Sequence, residues 1–189
     1  WIRSASKIPL YENTKALSKF LLLCAYDDTC SNSQSPGMLE KAAMGSNPML
    51  SWHKWKLFSS DNLENKFTIE HVAPQTISSN WDESLNDKVL VNTIGNLTIL
   101  PANINSSVGN SSFVAKKAFF LSLCEENARL RQESSGELPE KQQALLNGAH
   151  YLGFLQSITE VEKWNSSLIK KRSENILSHA WVVLYSWLE

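Results

Sequence analysis

The hydrophobic positions of the N-terminal third predict one helix followed by a loop. Between Leu10 and Asp28, apolar side chains recur at the three- and four-residue spacing of an amphipathic helix, at Leu17, Phe20, Leu21 and Cys24. Ser31 to Gly45 is rich in Ser, Asn and Gly, which favour turns. We therefore expect a packed helix and then a loop.

Two short strands are predicted in the middle of the chain. The first, KFTIEHVAPQ from Lys66 to Gln75, alternates apolar and polar residues until Pro74 stops the pattern. The second covers Leu97 to Leu100, directly after the break at Gly95. Asp82 to Val91, between the two strands, is compatible with a helix.

The C-terminal half is predicted to be mostly helical. Helical spacing of apolar residues covers Phe113 to Cys124, roughly Glu140 to Ile158, and Glu160 to Leu188, whereas Glu133 to Pro139 is polar and predicted to be loose. The predicted fold class is therefore α+β and mainly α-helical. A chain of 189 residues has room for one ordinary domain, so we expect a single domain over residues 1–189.

Composition narrows the class of protein. Hydrophobic residues make up 42% of the chain and charged residues 20%, which is typical of a soluble globular protein. No apolar run reaches the length that spans a membrane, so no membrane partner is expected. The net charge is only -1, so DNA affinity would have to come from local patches or from a partner domain.

The three cysteines exclude two common kinds of site. Cys24, Cys30 and Cys124 form no CxxC pair and no zinc-finger spacing with histidine, which favours a reducing, cytoplasmic location over a disulfide framework or a structural zinc. The chain opens with Trp1 instead of Met, and we expect it to be the C-terminal part of a longer protein.

Candidate chemistry concentrates between Glu70 and Asn110. Glu70 and His71 lie at the end of the first predicted strand, Asn96 opens the second, and Asn105 follows nine positions later in an Asn-rich turn. Each feature alone is ordinary strand-end or loop chemistry. Their order and spacing together favour a catalytic site.

This order and spacing resemble the HNH (ββα-metal) nuclease core. With EHVAPQ, GNLTIL, the Asn105 turn, Phe113 with Lys116, and the late segment WNSSLIKKRSENILSHAWVVLYSW, the chain is similar to the C-terminal nuclease domain of GmrSD-type modification-dependent restriction enzymes and of phosphorothioate-sensing phage-defence nucleases. The resemblance spans about residues 67–187. It implies a small ββα-metal core, about residues 66–123, between helical flanks at 1–65 and 124–189.

The resemblance also implies roles for four residues, and the chemistry of their side chains agrees. His71, whose ordinary pKa is near 6.5, would be the catalytic base that takes a proton from water. Glu70 and Asn105 would hold one divalent ion; a carboxylate and an amide oxygen suit Mg²⁺ or Mn²⁺ better than Zn²⁺. Asn96 would assist catalysis by holding the base-bearing loop through its amide.

The basic residues around and after these motifs are candidate DNA contacts. Lys116, Lys117, Lys171 and Arg172 are the positions expected to meet phosphate groups. For the Lys170 to Arg172 cluster, a solvated helix face is an equally good interpretation.

The geometry of the first strand leaves an alternative for the metal ligand. Adjacent residues on a regular strand point to opposite faces, so Glu70 and His71 share a site only if the strand bends or ends there. The nearby Pro74 is compatible with an early end. If the strand continues regularly, Asn103 or Asp82 would replace Glu70 as a ligand.

The expected function is hydrolysis of one DNA strand per active site, leaving 5′-phosphate and 3′-hydroxyl ends. By resemblance, an N-terminal nucleotide-hydrolysing sensor domain of the same polypeptide would select modified DNA. Two alternatives remain open. One is a catalytically silent helical module that docks the sensor domain, and the other is an RNase, since the motif reads phosphate geometry and not the sugar.

Overall fold

The computed structural model describes residues 1–50, 67–102, 105, 109–124 and 152–189. In these ranges two small antiparallel sheets lie among helices, which confirms the mainly helical α+β class. In chain order the elements are α1 (Ile2–Ala5), α2 (Leu10–Asn13), α3 (Lys15–Tyr26), β1 (Thr29–Ser31), β2 (Leu39–Lys41), β3 (Phe67–His71), α4 (Lys88–Val91), β4 (Leu97–Pro101), α5 (Phe113–Cys124), α6 (Gln156–Thr159) and α7 (Ser166–Ser186). Short 3-10 turns cover Glu83–Leu85, Ile94–Asn96 and Gly153–Leu155.

The predicted N-terminal helix is divided into α2 and α3. Thr14 has an extended backbone between them, and its hydroxyl accepts the backbone N–H of Leu17 at 3.0 Å. Threonine in this position satisfies an amide that has no partner within the helix, which favours a helix start over a continuous helix. The break leaves α2 as a separate turn at the surface.

The loop expected between Ser31 and Gly45 contains a strand. In an antiparallel hairpin, β2 pairs with β1, from Thr29 opposite Lys41 to Ser31 opposite Leu39. The far edge of β2 is bound by Asn175 of α7, whose amide oxygen accepts from Leu39 N at 2.8 Å while its nitrogen donates to Leu39 O at 3.0 Å. This partner is distant in sequence, so composition alone predicted a loop.

Both predicted central strands are confirmed. β3 pairs antiparallel with β4, from Phe67 opposite Pro101 to His71 opposite Leu97. The segment Asp82–Val91 is not one helix, because it forms a 3-10 turn and then α4. Asp82 and Asp87 cap these two turns with their carboxylates.

The long helix α7 organises the core. It begins at the cap Asn165 and packs on α3 and on the turn Ile94–Asn96. Gly95 makes that contact possible: a Cβ there would lie 2.1 Å from the carbonyl oxygen of Ile169. Gly95 has no positive φ, so it serves close approach of two backbones and not unusual backbone freedom.

The remaining helical predictions have mixed outcomes. The helix from Phe113 to Cys124 is confirmed as α5, and the last helix is confirmed with a later start, at Ser166. The polar segment Glu133 to Pro139 and most of Glu140 to Ile158 lie outside the described residues.

Candidate functional site

A polar cleft of about 350 Å³ lies where β3 ends and the start of α5 approaches it. Four of the eight predicted site residues line this cleft, namely Glu70, His71, Asn105 and Lys116. The other lining residues are Pro74, Gln75, Thr76, Gly109 and Asn110. The structure therefore assembles residues spread over more than forty sequence positions into one concave surface.

Glu70 and His71 share the cleft because β3 stops at His71. The two residues are the last of the strand, opposite Thr98 and Leu97 of β4. Beyond them the chain bends, and the regular alternation of faces no longer applies. Asp82 is not needed as a substitute, since its carboxylate binds the N–H of Ser84. The other substitute, Asn103, lies outside the described residues.

A buried ion pair forms one wall of the cleft. The ammonium nitrogen of Lys116 lies 2.5 Å from Oε1 of Glu70 and donates to the carbonyl oxygen of His71 at 2.7 Å. Burial raises the pKa of Glu70, with the Lys116 charge acting against the rise. Burial lowers the pKa of Lys116, with Glu70 acting against it. The lysine predicted as a phosphate contact thus has the candidate metal ligand as its immediate partner.

The imidazole of His71 contacts two side chains, Asn92 and Tyr11. Its Nε2 lies 3.0 Å from Oδ1 of Asn92, and the ring of Tyr11 packs edge-on with 4.4 Å between ring centroids. Burial lowers the pKa of His71, which the Asn92 hydrogen bond partly opposes and the charge of Lys116 reinforces. The lowered pKa favours the neutral imidazole.

Sequence reasoning missed Asn92 and Tyr11. Asn92 stands four positions before Asn96 in the segment VNTIGN, where it reads as an ordinary turn residue. Tyr11 is separated from His71 by sixty positions, and no local pattern connects the two.

Asn96 is fully buried and ties the chain after His71 to the rest of the core. Its Nδ2 donates to the carbonyl oxygens of Ala73 and Val91, each at 2.8 Å. Its Oδ1 accepts from Ala73 N and from Trp164 Nε1, each at 2.9 Å. Asn96 therefore holds the backbone just after His71, and its own side chain does not line the cleft.

Asn105 is oriented by β3. Its Nδ2 donates to Oγ1 of Thr68 at 2.8 Å and to the carbonyl oxygen of Ile69 at 3.0 Å. Because both amide hydrogens are engaged, the carbonyl oxygen Oδ1 is the atom that this side chain can offer to a cation.

The donor set of the cleft fits a hard divalent cation. Glu70 contributes a carboxylate and Asn105 an amide oxygen, which is the ligand chemistry of Mg²⁺ and Mn²⁺. Among the described residues, no group of three His, Cys, Asp or Glu side chains is arranged to hold a metal. A cation bound here would consequently rely on water or phosphate oxygens for the rest of its shell.

The other predicted DNA contacts lie elsewhere. Arg172 is fully buried and donates to the carbonyl oxygen of Gly37 at 2.7 Å and to Tyr26 Oη at 3.3 Å, so its assignment as a DNA contact is wrong. Lys117 is half-buried, and its ammonium donates to the carbonyl oxygen of Val161 at 2.8 Å. Lys171 is exposed in a second cleft of about 540 Å³ that shares no lining residue with the first.

Comparison with known proteins identifies the class and then the family. Residues 49–179, well over half of the chain, match the family model described as GmrSD restriction endonucleases, C-terminal domain. The matched range contains all residues lining the first cleft. The chain is thus a nuclease domain of the restriction endonuclease class, a class that acts on DNA. The chain belongs to the family of GmrSD restriction endonuclease C-terminal domains.

No curated protein matches the chain. In the part of the chain that the structure describes, none of the helices has the length and apolar character needed to cross a bilayer.

Proposed function

We propose that this domain is an HNH endonuclease that hydrolyses one DNA strand at each active site, with His71 as general base. The observation that carries the proposal is the shared cleft: an imidazole, a carboxylate and an amide oxygen from three separate positions meet on one surface. Phosphodiester hydrolysis requires this combination of a proton acceptor and a cation-binding group.

Glu70 and Asn105 would hold one Mg²⁺ or Mn²⁺. The bound ion would supply positive charge that stabilises the developing oxyanion and the departing 3′ oxygen. The ammonium of Lys116 shares the carboxylate of Glu70 in this structure, so the same carboxylate would serve both cations.

His71 would accept a proton from a water molecule in the cleft. The water oxygen bonds to phosphorus, the bond from phosphorus to O3′ breaks, and the leaving oxygen takes a proton from solvent. The products are a 5′-phosphate and a 3′-hydroxyl. Burial lowers the pKa of His71, which favours the neutral imidazole that can accept this proton.

Selection of DNA would depend on a partner. The chain has a net charge of -1, which supports a division of labour in which a sensor domain of a longer polypeptide supplies affinity and recognises modified DNA. The nuclease domain would then cut DNA that the sensor domain has delivered.

Nicking of supercoiled plasmid in Mg²⁺ or Mn²⁺ tests the proposal. We expect His71→Ala to lower the nicking rate by about 10²- to 10⁴-fold, the usual contribution of a general base. His179→Ala is the matched control, because it removes an imidazole outside the cleft. If folded His71→Ala nicks within a few-fold of the wild-type rate, the assignment of the base is wrong.

Calorimetric titration with Mn²⁺ tests the metal ligands separately. Glu70→Gln and Asn105→Ala should each weaken binding, whereas Glu162→Gln, a change at an exposed carboxylate, should leave it unaltered. Binding that survives both cleft changes would place the metal elsewhere.

A further inference from the structure

The imidazole of His71 is the end of a chain of hydrogen bonds that starts at the N-terminal helix α2. Oε1 of Glu12 accepts from Nδ2 of Asn92 at 2.9 Å, and Oδ1 of Asn92 lies 3.0 Å from Nε2 of His71. Asn92 is buried between the two, with an exposed fraction of 2%. Its amide has little freedom to exchange these partners for water.

The surroundings of Asn92 determine which way its amide points. Nδ2 faces the carboxylate of Glu12 and the carbonyl oxygen of Lys88, at 2.9 and 2.8 Å. Both partners can only accept hydrogen bonds, so the atom that faces them must be the NH₂ group. The opposite atom, which faces His71 and Nε2 of Gln75, is therefore the carbonyl oxygen.

The orientation of Asn92 in turn determines the state of the histidine ring. A carbonyl oxygen cannot donate, so Nε2 of His71 must carry a hydrogen to bond with it. In a neutral imidazole the other nitrogen, Nδ1, then keeps its lone pair. Nδ1 is consequently the ring nitrogen that can accept a proton.

We propose that Asn92, oriented by Glu12, is a positioning residue that holds His71 in the Nε2–H tautomer and leaves Nδ1 as the basic nitrogen. The inference rests on the proposed role of His71 as the base. Hydrogen bonding of the second ring nitrogen is a general means of setting the tautomer and angle of a functional histidine.

One of the two groups that orient Asn92, the carboxylate of Glu12, lies on a segment outside residues 49–179, the range of the family match. Besides Glu12, this segment supplies Tyr11, whose backbone N donates to the carbonyl oxygen of Asn92 at 3.2 Å and whose ring packs on His71. Tyr11 and Glu12 thus contact both members of the Asn92–His71 pair. The N-terminal segment would complete the positioning of the base from outside the matched domain.

Two-bond ¹H–¹⁵N correlation spectra of the whole chain test the tautomer without reference to activity. We expect the His71 ring of the wild type to show the Nε2–H pattern, with its signals identified by their loss in His71→Gln. Asn92→Ala should show both tautomers in exchange. A wild-type ring protonated at Nδ1 would overturn the inference and would leave the proposed nuclease function standing.

Steady-state nicking kinetics test the consequence. Asn92→Ala should lower kcat by about 10- to 100-fold with KM within about twofold, because Asn92 does not line the cleft. Glu12→Ala should lower kcat by at most about 10-fold, and Glu12→Gln, which keeps an acceptor oxygen, should restore it. Unchanged kcat in Asn92→Ala and in Glu12→Ala would contradict the inference.

The variants separate this inference from the proposed function. Glu12 is exposed, so Glu12→Ala remains informative if Asn92→Ala fails to fold. Glu162→Gln removes another exposed carboxylate and should change neither spectrum nor kcat. Loss of nicking in Asn92→Ala combined with full nicking in His71→Ala would refute the general-base mechanism instead.

Discussion

The ammonium nitrogen of Lys116 lies 2.5 Å from Oε1 of Glu70, and Lys116 is only 1% exposed. The pair joins the first turn of α5 to the end of β3, so the same contact that forms a wall of the cleft also connects two elements of the fold. A divalent cation that binds Glu70 must share the carboxylate with this lysine or displace it.

Removal of one member of the pair should destabilise the protein. Lys116→Met leaves a buried carboxylate without its cation, and we expect the free energy of unfolding to fall by about 3–5 kcal/mol. Urea denaturation measures this change. Lys116→Met combined with Glu70→Gln should recover part of the loss, since no unpaired buried charge remains; equal stability of Lys116→Met and wild type would contradict the argument.

Asn96→Ala should also lower the free energy of unfolding. The change leaves Ala73 N–H, Trp164 Nε1–H and two carbonyl oxygens without their partner, and each buried unsatisfied group costs about 1–3 kcal/mol. We expect a loss of more than about 3 kcal/mol in thermal or urea unfolding. Asn86→Ala, at an exposed position, should change stability by less than about 0.5 kcal/mol.

Two glycine substitutions should differ in their physical cause. In Gly95→Ala the new Cβ would meet the carbonyl oxygen of Ile169 at 2.1 Å and Ser173 N at 2.6 Å, so α7 must move and the cost should be about 3 kcal/mol or more. In Gly45→Ala there is open space, but φ is +77°, and the strain should be about 1–2 kcal/mol. Denaturant titrations measure both changes. If the two variants lose similar amounts of unfolding free energy, α7 moves to accommodate the methyl group added at Gly95 at little cost.

Asp28 should make stability depend on pH in the acid range. The N–H groups of Gly45 and Asn47 donate to its carboxylate at 2.7 and 3.0 Å and hold the pKa of Asp28 below its ordinary value of 3.8. Because the folded-state pKa is the lower one, this contribution is present above pH 3.8 and is lost as pH falls through the folded-state value.

Asp28→Asn isolates that charge, since asparagine also tolerates the left-handed backbone found at Asp28, where φ is +48°. The variant should be less stable than wild type at pH 7, and the difference should shrink at pH 3. Urea titrations at the two pH values measure it. A difference independent of pH would mean that the hydrogen bonds do not depend on the charge.

Substitution of Lys171 and of Arg172, adjacent basic residues of α7, should have different effects on the free energy of unfolding. Arg172→Met removes donors to Gly37 and Tyr26 in the core and should lower the free energy of unfolding, without a specific effect on DNA. Lys171→Met should leave stability within about 0.5 kcal/mol. If Lys171 contacts a phosphate, a plot of the logarithm of the DNA-binding constant against the logarithm of salt concentration should be about one unit less steep for the Lys171 variant.

Local pattern was sufficient for the central part of the fold. Alternation followed by proline predicted β3, an apolar run after a glycine predicted β4, and continuous helical spacing predicted α5, because each depends on neighbours within about ten positions. The order of Glu70, His71, Asn96 and Asn105 likewise came from the sequence. Prediction failed where a distant partner decides the structure, since β2 is bound by Asn175 of α7. It also failed at Thr14, whose local capping of Leu17 divides a helical pattern that otherwise continues.

The amino-acid sequence by itself therefore determined the two central strands β3 and β4, the helix that follows them, and which side chains could carry nuclease chemistry. Only the tertiary structure decided that Lys116 pairs with Glu70, that Arg172 is buried, and that Glu12 and Asn92 orient His71. These relationships join residues 21 to 146 positions apart or depend on burial. Burial and hydrogen-bond partners are set when separate elements pack, and no local pattern of residues encodes them.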